Sequence, residues 1–467
     1  MNVERAAAAC LFPGFAGLTA PEWVRRWVER GVGGVVLFGQ NIEAMGQVSD
    51  LTASLRAERD DLLVATDEEG GDVTRLEARR GSSYPGNWAL GIADDVELTE
   101  AVAASIAAEL AGVGINFDFA PVADVNSNPD NPVIGIRSFG GEPSLVARHV
   151  RAFVTGLQGA GVAGCAKHFP GHGDASQDCH LELPVVEGNV DEALEPFRAA
   201  IAAGVRSIMT AHILVPELAA EQATLSREVL QTLLRDELGF GGVTITDALE
   251  MRAVADTVGV EEGAVLALAA GADALLLGAD IDDPIVSAVH AAVVDSVRTG
   301  RLAEERLGEA AERVQALAAW AATPSASTPR PELGARAAEL ALRSDGVTGL
   351  SAPPLVVDLR PPACIAAGEA GHGLADVMDV AEAVVVREGD ALPEPNGRPL
   401  VVVVRDAHRH EWEQTAVERL LGRAPQAVVV ETGLPLWRPE GAPYVASYGG
   451  GRANLEAAAN ALRPAAL

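Results

Sequence analysis

Eight short apolar runs, each flanked by Gly, Pro or acidic residues, recur along the first part of the chain. They cover residues 9–15, 31–38, 62–67, 115–121, 162–167, 205–211, 242–246 and 272–277. Stretches of helical periodicity lie between them, at Pro21–Arg30, Thr99–Gly112, Ser144–Gly159, Val190–Ala203 and Arg227–Leu238. Parallel strands buried under helices give this alternation. Eight such units predict an α/β fold, and a (β/α)8 barrel of the TIM type suits them better than an open sheet.

A second, smaller α/β region follows the eight units. The stretch 321–336 begins AATPSASTPRPELG, and its three prolines with Ser and Thr interrupt both helix and strand patterns, so it is interpreted as a linker. It separates a barrel domain at 1–320 from a C-terminal domain at 337–467. That domain is predicted to be an α/β sandwich with strands at Leu355–Leu359, Ala383–Arg387, Leu400–Arg405, Ala427–Glu431 and Tyr444–Tyr448.

The charge balance excludes two classes of partner. The 467 residues contain 35 Lys and Arg against 66 Asp and Glu, a formal net charge of −31. Binding to nucleic acid or to an anionic membrane needs a basic surface. No apolar run reaches the roughly 18 residues that a membrane span requires. The four cysteines form no Cys-x-x-Cys motif, which favours reduced thiols in a cytoplasmic protein, and the N-terminus is interpreted as mature, uncleaved sequence.

Polar residues collect at the ends of five predicted strands. Asp67 follows the third strand, and Asp118, Asp124 and Arg137 follow or trail the fourth. The fifth ends in Lys167 and His168, the sixth in His212 and the seventh in Asp247. Chemistry in a (β/α)8 barrel is carried by the loops at the carboxyl ends of the strands. A single polar residue of this kind would be interpreted as an ordinary loop residue. Polar residues at five consecutive strand ends predict an active site.

The densest polar segment is 167–184, KHFPGHGDASQDCHLELP. Its histidines, His168, His172 and His180, could bind zinc, but their spacings of four and eight residues cross a proline and two glycines and therefore lie in a loop. In the alternative interpretation, Asp178 orients the ring of His180 and raises its proton affinity, as an acid/base catalyst requires. A surface histidine with an acidic neighbour remains a third interpretation of the same residues.

The run KHFPGHG followed by Asp-x-His resembles the signature of the β-N-acetylglucosaminidase branch of glycoside hydrolase family 3. Three further motifs of that branch stand in the expected order: ATDEEGGDVTRL (65–76), FAPVADVNSNPDNPVIGIRSFG (119–140) and TDALEM (246–251). The resemblance spans the whole predicted barrel. The region after residue 336 looks like the second domain of many members but has no motif of similar specificity.

The resemblance implies a retaining glycosidase, which needs a nucleophile and a group that first donates and then removes a proton. Asp247 matches the nucleophile, although an Asp there could also simply cap the following helix. His180 matches the unusual histidine acid/base of this branch, and Asp178 matches its partner. Imidazole titrates near neutral pH without the burial that a carboxylic acid would need.

The other matched residues imply a sugar pocket for a terminal N-acetylglucosamine. Asp67 would accept its distal hydroxyls, and Arg75, Arg137, Lys167 and His168 would donate hydrogen bonds to it. A structural salt bridge is the competing interpretation for the two arginines. Three positions depart from the family pattern: Ala175 stands where Thr is frequent, Cys179 where Ser is frequent, and Ala248 where a second acidic residue is frequent.

The predicted function is an exo-acting β-N-acetylglucosaminidase without metal or cofactor, which acts on small glycans such as muropeptides in peptidoglycan recycling. A phosphorylase using the same residues is the first alternative, because a histidine repels phosphate less than a carboxylate does. A zinc-dependent hydrolase and a non-catalytic sugar-binding module are the others. The sequence leaves the oligomeric state open. In the C-terminal domain, Arg405, Asp406, His408 and His410 are interpreted as solvated loop residues, with a reach toward the barrel mouth or a neighbouring subunit as the alternative.

Overall fold

The fold is described from a computed structural model, which defines residues 2–178, 183–322, 327–363, 368 and 371–463. Packing divides the chain into two compact units. The first comprises Met1–Glu68, Thr99–Ile134 and Gly141–Pro329, and the second comprises Glu69–Leu98, Gly135–Gly140 and Arg330–Leu467. Two segments that precede residue 320 thus pack with the C-terminal part of the chain, so the units are not consecutive in sequence.

The secondary structure alternates strands and helices. In chain order, the α-helices are α1 (Val3–Ala9), α2 (Glu22–Arg30), α3 (Met45–Arg56), α4 (Asn87–Ala93), α5 (Val96–Gly112), α6 (Pro143–Gly159), α7 (Val190–Ala202), α8 (Arg252–Ala255), α9 (Val260–Ala270), α10 (Asp283–Arg298), α11 (Glu304–Ala321), α12 (Pro331–Ala341), α13 (Glu411–Arg423) and α14 (Arg452–Leu462). The strands are β1 (Leu11–Pro13), β2 (Gly34–Val36), β3 (Leu63–Thr66), β4 (Phe117–Asp118), β5 (Ala163–Phe169), β6 (Ser207–Thr210), β7 (Val243–Ile245), β8 (Leu275–Leu277), β9 (Arg343–Asp345), β10 (Leu355–Leu359), β11 (Glu382–Val386), β12 (Leu400–Val404), β13 (Val428–Glu431) and β14 (Tyr444–Ala446).

The first unit contains eight parallel strands. Seven lie within the apolar runs from which they are predicted, and β5 extends two residues beyond its run, to Phe169. Strands β2 to β7 form one six-stranded parallel sheet in chain order, and β1 pairs in parallel with β8. Gly33 N donates to Leu11 O at 3.1 Å, and Ile245 forms an isolated bridge with Ala274. All seven residues of β5 are buried, as expected of a parallel strand covered on both faces.

Strand direction brings the polar ends of these strands to one edge of the sheet. Asp67 directly follows β3, Lys167 and His168 occupy the end of β5, and Asp247 comes two residues after β7. Because β3, β5 and β7 run in parallel within one sheet, their carboxyl ends share an edge. The predicted clustering of polar residues at strand ends is therefore confirmed for these positions.

The second unit is built on a six-stranded sheet in the order β11-β10-β12-β13-β14-β9. Its five predicted strands are confirmed and run in parallel, while β9 is antiparallel to β14. Apolar residues cover both faces of the sheet: Val357 and Val402 pack in one cluster with Leu420 of α13, and Val401 and Val430 pack in another with Leu455 of α14. Successive strand residues point to opposite faces, which produces these two clusters.

Two predicted elements differ in detail. The stretch predicted as helix at Arg227–Leu238 is a π-helix over Glu228–Glu237. Within the predicted linker, α12 begins at Pro331, and a proline is well suited to the first turn of a helix because its missing N–H would be unpaired there. In the part of the chain that the structure describes, no helix is both long and apolar enough to cross a membrane. Cys10 and Cys165 are free and fully buried.

Candidate active site

An ion pair joins the ends of β3 and β5. Lys167 Nζ donates to Asp67 Oδ1 at 2.7 Å, and the two side chains are 2% and 18% exposed. An ammonium group this deeply buried requires a counter-charge, because removing it from water is otherwise costly. Asp67 supplies that charge and, being partly exposed, retains acceptor capacity for a ligand hydroxyl. The structure thus brings together two of the predicted sugar-binding residues.

Asp118 holds the backbone that follows Asp67. Its Oδ1 accepts a hydrogen bond from Glu68 N at 2.9 Å. Burial raises the pKa of Asp118 well above the ordinary value for a carboxyl group. Asp118, at the end of β4, therefore fixes the backbone turn that follows β3.

Asp124 organises the two histidines of the KHFPGHG segment. Its Oδ2 lies 2.7 Å from His168 Nδ1, and its Oδ1 accepts from His172 N at 2.7 Å. Burial alone would raise the pKa of Asp124, but attraction to His168 and hydrogen bonds from both histidines outweigh burial and hold the pKa below its ordinary value. The ionised carboxylate fixes the orientation of the His168 ring.

His172 is a buried and neutral histidine. Burial lowers the pKa of its imidazole to about 4, so the ring is uncharged near neutral pH. Neither ring nitrogen has a hydrogen-bond partner among the described residues. The carboxylate of Asp247 is one of the charges that act on this ring. His172 therefore belongs to the same region as Asp247, where the sequence offers it only as a possible zinc ligand or as a residue that fixes the loop.

Asp247 lies in a turn fixed by backbone contacts and by His212. Asp247 Oδ1 accepts from Ala248 N at 2.7 Å. His212, which is fully buried beyond the end of β6, lies with Nε2 3.0 Å from Ala248 O and with Nδ1 2.8 Å from Thr224 Oγ1. A carbonyl oxygen only accepts, so Nε2 carries the proton of that hydrogen bond. The sequence predicts His212 only as a polar residue at a strand end. The structure shows that it contacts the backbone of the Asp247 turn.

Glu250 is a further acidic residue of the TDALEM segment. Burial raises the pKa of its carboxyl group, and the negative charges of Asp247 and Asp280 raise it further. A side chain at position 278 would collide with this carboxylate, since a Cβ on Gly278 would lie 1.6 Å from Glu250 Oε1. The glycine after β8 thus makes room for Glu250, and this relation between distant residues has no signature in the sequence.

The predicted arginines belong to the second unit. Arg137 Nε and Nη2 donate to the two carboxylate oxygens of Glu69 at 3.0 and 2.7 Å, with side chains only 9% and 2% exposed. Asn87 Nδ2 donates to Arg137 O at 2.7 Å. Arg75 is partly buried in the same unit. The salt bridge that competes with a sugar-binding role is therefore present for Arg137, and its partner is Glu69.

The predicted acid/base pair lies only partly in the described chain. Asp178 is partly buried in the first unit. His180 and Cys179 lie outside the described residues, so their roles stay predictions from the sequence. Among the described residues, no three His, Cys, Asp or Glu side chains are grouped to hold a metal ion.

Comparison with known proteins identifies the family. The model of the glycosyl hydrolase family 3 N terminal domain matches residues 19–317. The chain is 34% identical over 375 residues to Beta-hexosaminidase A of Pseudoalteromonas piscicida, over 71% of this chain and 62% of that protein. It is 41% identical over 251 residues to a Beta-hexosaminidase of Pseudomonas aeruginosa, over 52% of this chain and 74% of that protein.

A solved structure matches nearly the whole chain. The glycoside hydrolase family 3 beta-N-acetylglucosaminidase from Paenibacillus sp. str. FPU-7 superposes with a TM-score of 0.86 at 34% sequence identity. The alignment covers 99% of this chain and 96% of that one, and so includes both units. From the family model, the sequence relatives and this structure, the chain belongs to glycoside hydrolase family 3.

Proposed function

We propose that the chain is a retaining exo-β-N-acetylglucosaminidase that removes terminal N-acetylglucosamine from small glycans. The observation that carries the proposal is the set of polar groups at the carboxyl ends of β3, β5 and β7, where the Asp67–Lys167 pair, the Asp124–His168 pair and Asp247 are held in place. Relatives named Beta-hexosaminidase at 34–41% identity support the hexosamine substrate. The match with a structure named as a beta-N-acetylglucosaminidase supports it as well.

In the proposed mechanism, Asp247 is the nucleophile. Its carboxylate attacks C1 of the sugar while His180 donates a proton to the departing oxygen, which gives a covalent glycosyl-enzyme and free aglycone. His180, now neutral, removes a proton from water as the water displaces Asp247, and both groups regain their starting forms. Asp178 orients the His180 ring throughout. Two displacements at C1 retain its configuration.

In the proposed pocket, Asp67 accepts sugar hydroxyls, and Lys167 and His168 donate to them. Arg75 and Arg137 receive a sugar-binding role from the match of their motifs to the family. We extend the proposal to a (β/α)8 barrel for the first unit, which one hydrophobic cluster with residues from all eight strands supports, and to an α/β sandwich for the second. Muropeptide fragments of peptidoglycan recycling in the cytoplasm are the proposed substrates.

The His180 role is tested with two leaving groups. Replacement of His180 by Ala is expected to lower kcat/KM on a GlcNAc disaccharide at least about 100-fold more than on 4-nitrophenyl β-GlcNAc. Nitrophenolate leaves without protonation and so needs no general acid, whereas acid/base catalysis typically contributes about 10²–10⁴-fold. Equal losses on both substrates would contradict the acid/base role. His290→Ala, on α10, is the matched control and should lose activity on neither.

The same assay separates a hydrolase from a phosphorylase. With the disaccharide as substrate, wild-type protein should release free N-acetylglucosamine at the same rate with and without inorganic phosphate. Formation of the sugar 1-phosphate would identify a phosphorylase instead.

His212 is expected to act on the rate of reaction through the Asp247 turn. His212→Ala removes the donor to Ala248 O and should lower kcat roughly tenfold with little change in KM, because misplacement of a reacting group costs rate more than binding. Steady-state kinetics on 4-nitrophenyl β-GlcNAc measure both constants. A KM increase with unchanged kcat would contradict this role.

A further inference from the structure

The loop 69–73 of the second unit has two sides, and each side makes its own contacts. Glu69 N donates to Val73 O at 3.0 Å, which closes the loop on itself, and Gly71 N donates to Tyr84 O at 2.8 Å. Gly71 has a positive φ of 61°, and a Cβ there would lie 2.5 Å from Gly86. The loop is therefore compact and packed tightly against the residues before α4.

One side of this loop holds Arg137. The Glu69 carboxylate accepts hydrogen bonds from both Nε and Nη2 of Arg137, and this arrangement fixes the plane of the guanidinium group. The main chain of Arg137 is held separately by Asn87. The position of the guanidinium group thus depends on where the loop places Glu69.

The other side of the loop is held by residues from the C-terminal part of the chain. Asp72 Oδ1 accepts from Gly450 N at 2.7 Å, and Asp72 Oδ2 accepts from Arg405 Nη1. Gly451 packs on the same loop, since a Cβ there would lie 3.0 Å from Gly71. The Asp72 and Arg405 side chains are 9% and 33% exposed, so water screens this ion pair less than a pair on the open surface. Arg405 is thus not a solvated loop residue, contrary to the interpretation from the sequence.

Arg405 is itself anchored to the sheet of the second unit. It directly follows β12, and its backbone N donates to Glu413 Oε2 on α13 at 3.2 Å. A small cleft has both Arg137 and Gly449 among its lining residues. Residues from the loop 69–73 and from the C-terminal part of the chain therefore line the space around the Arg137 side chain.

We infer that Arg405 is a positioning residue for substrate binding: it holds Asp72, and with it the loop that presents Glu69 to Arg137. The inference rests on the proposed function, in which Arg137 binds the sugar. It gives residues 330–467 an indirect part in substrate binding, beyond stabilising the fold. Arg405 itself touches neither the substrate nor the reacting atoms in this role.

The first test is the effect of Arg405→Ala on KM and kcat with 4-nitrophenyl β-GlcNAc. We expect KM to rise about tenfold, equivalent to about 1.4 kcal/mol of binding free energy, with kcat changed less than about threefold. Arg405→Lys should recover part of the loss, because an ammonium group keeps the charge but not the fork geometry. Arg438→Ala removes a surface pair with Asp345 in the same unit and should leave both constants unchanged.

A double variant separates positioning from a general loss of stability. If Arg405 acts through Asp72, then Asp72→Asn together with Arg405→Ala should raise KM no further than the stronger single variant does. A structural role alone would lower the thermal unfolding midpoint and leave KM unchanged for the folded fraction. If a folded Arg405→Ala variant has the same KM as the wild-type protein, the inference is wrong and the proposed function still stands. Wild-type protein that does not cleave the glycoside overturns the proposed function and the inference with it.

Discussion

Replacement of Asp247 by Ala is expected to reduce kcat/KM on 4-nitrophenyl β-GlcNAc by at least about 10³-fold. In the proposed mechanism, the variant lacks the carboxylate that forms the covalent intermediate, and even a good leaving group cannot replace it. Asp247 is only partly buried, and its Oδ1 accepts a hydrogen bond from the neighbouring Ala248 N, so the fold should survive the change. Circular dichroism and the thermal unfolding midpoint check that it does.

Azide distinguishes a lost nucleophile from other defects. In Asp247→Ala, azide can occupy the space of the missing carboxylate, attack C1 and displace nitrophenolate in one step. One displacement inverts the configuration, so a β-glycoside should give the α-glycosyl azide, together with a recovery of rate. Recovery with retained configuration, or a fully active variant, would contradict the nucleophile role. Asp256→Ala is the matched control, because Asp256 forms an exposed pair with Arg252 shortly after the same turn.

Much of the first unit follows from local patterns. Each of its strands is a short run of residues buried on both faces, and such runs are visible as mostly apolar stretches. Residues such as Asp67, Lys167 and His168 are predictable because they end these runs. Their pairing is visible only in the structure: Lys167 and Asp67 are 100 positions apart in the chain, and no periodicity links them.

The second unit shows where local patterns fail. Strand β9 has only three residues, Arg343–Asp345, and all are exposed, so it has no apolar run to mark it. Residues 69–98 and 135–140 pack with the C-terminal region, although they lie between predicted barrel strands. The contact between Asp72 and Arg405 spans 333 positions. Such contacts depend on tertiary packing, which the spacing of residue types does not encode.

The largest stability effect is expected at Glu413, a buried acid of the second unit. Its Oε2 accepts from Arg405 N, and its Oε1 has no hydrogen-bond partner among the described residues. Burial raises the pKa of Glu413 to about 9, and the nearby Glu431 adds repulsion. The folded protein therefore keeps the proton over a pH range in which the unfolded chain, with its ordinary pKa near 4.5, has lost it.

This difference makes the folding free energy depend on pH in a defined direction. Below about pH 4.5 both states are largely protonated, so the pKa difference adds no pH dependence to the folding free energy. From there to about pH 9 the folded state binds more protons than the unfolded state, so the free energy of unfolding falls by about 1.4 kcal/mol per pH unit. Glu413→Gln keeps the shape of the protonated acid and has no proton to lose. We expect its unfolding midpoint to exceed that of wild type by roughly 5–10 °C at pH 8 and to match it near pH 4.5.

Scanning calorimetry from pH 4.5 to pH 9 measures this difference directly. Glu418→Gln on the exposed side of α13 makes the same chemical change without burial, and its midpoint should follow that of wild type at every pH. If the unfolding midpoint of Glu413→Gln exceeds that of wild type by the same amount at every pH, the substitution improves packing and Glu413 is already ionised in the folded protein. If that difference in midpoint grows with pH, Glu413 is protonated in the folded protein, because only a group protonated in the folded state and ionised in the unfolded state gives such a pH dependence.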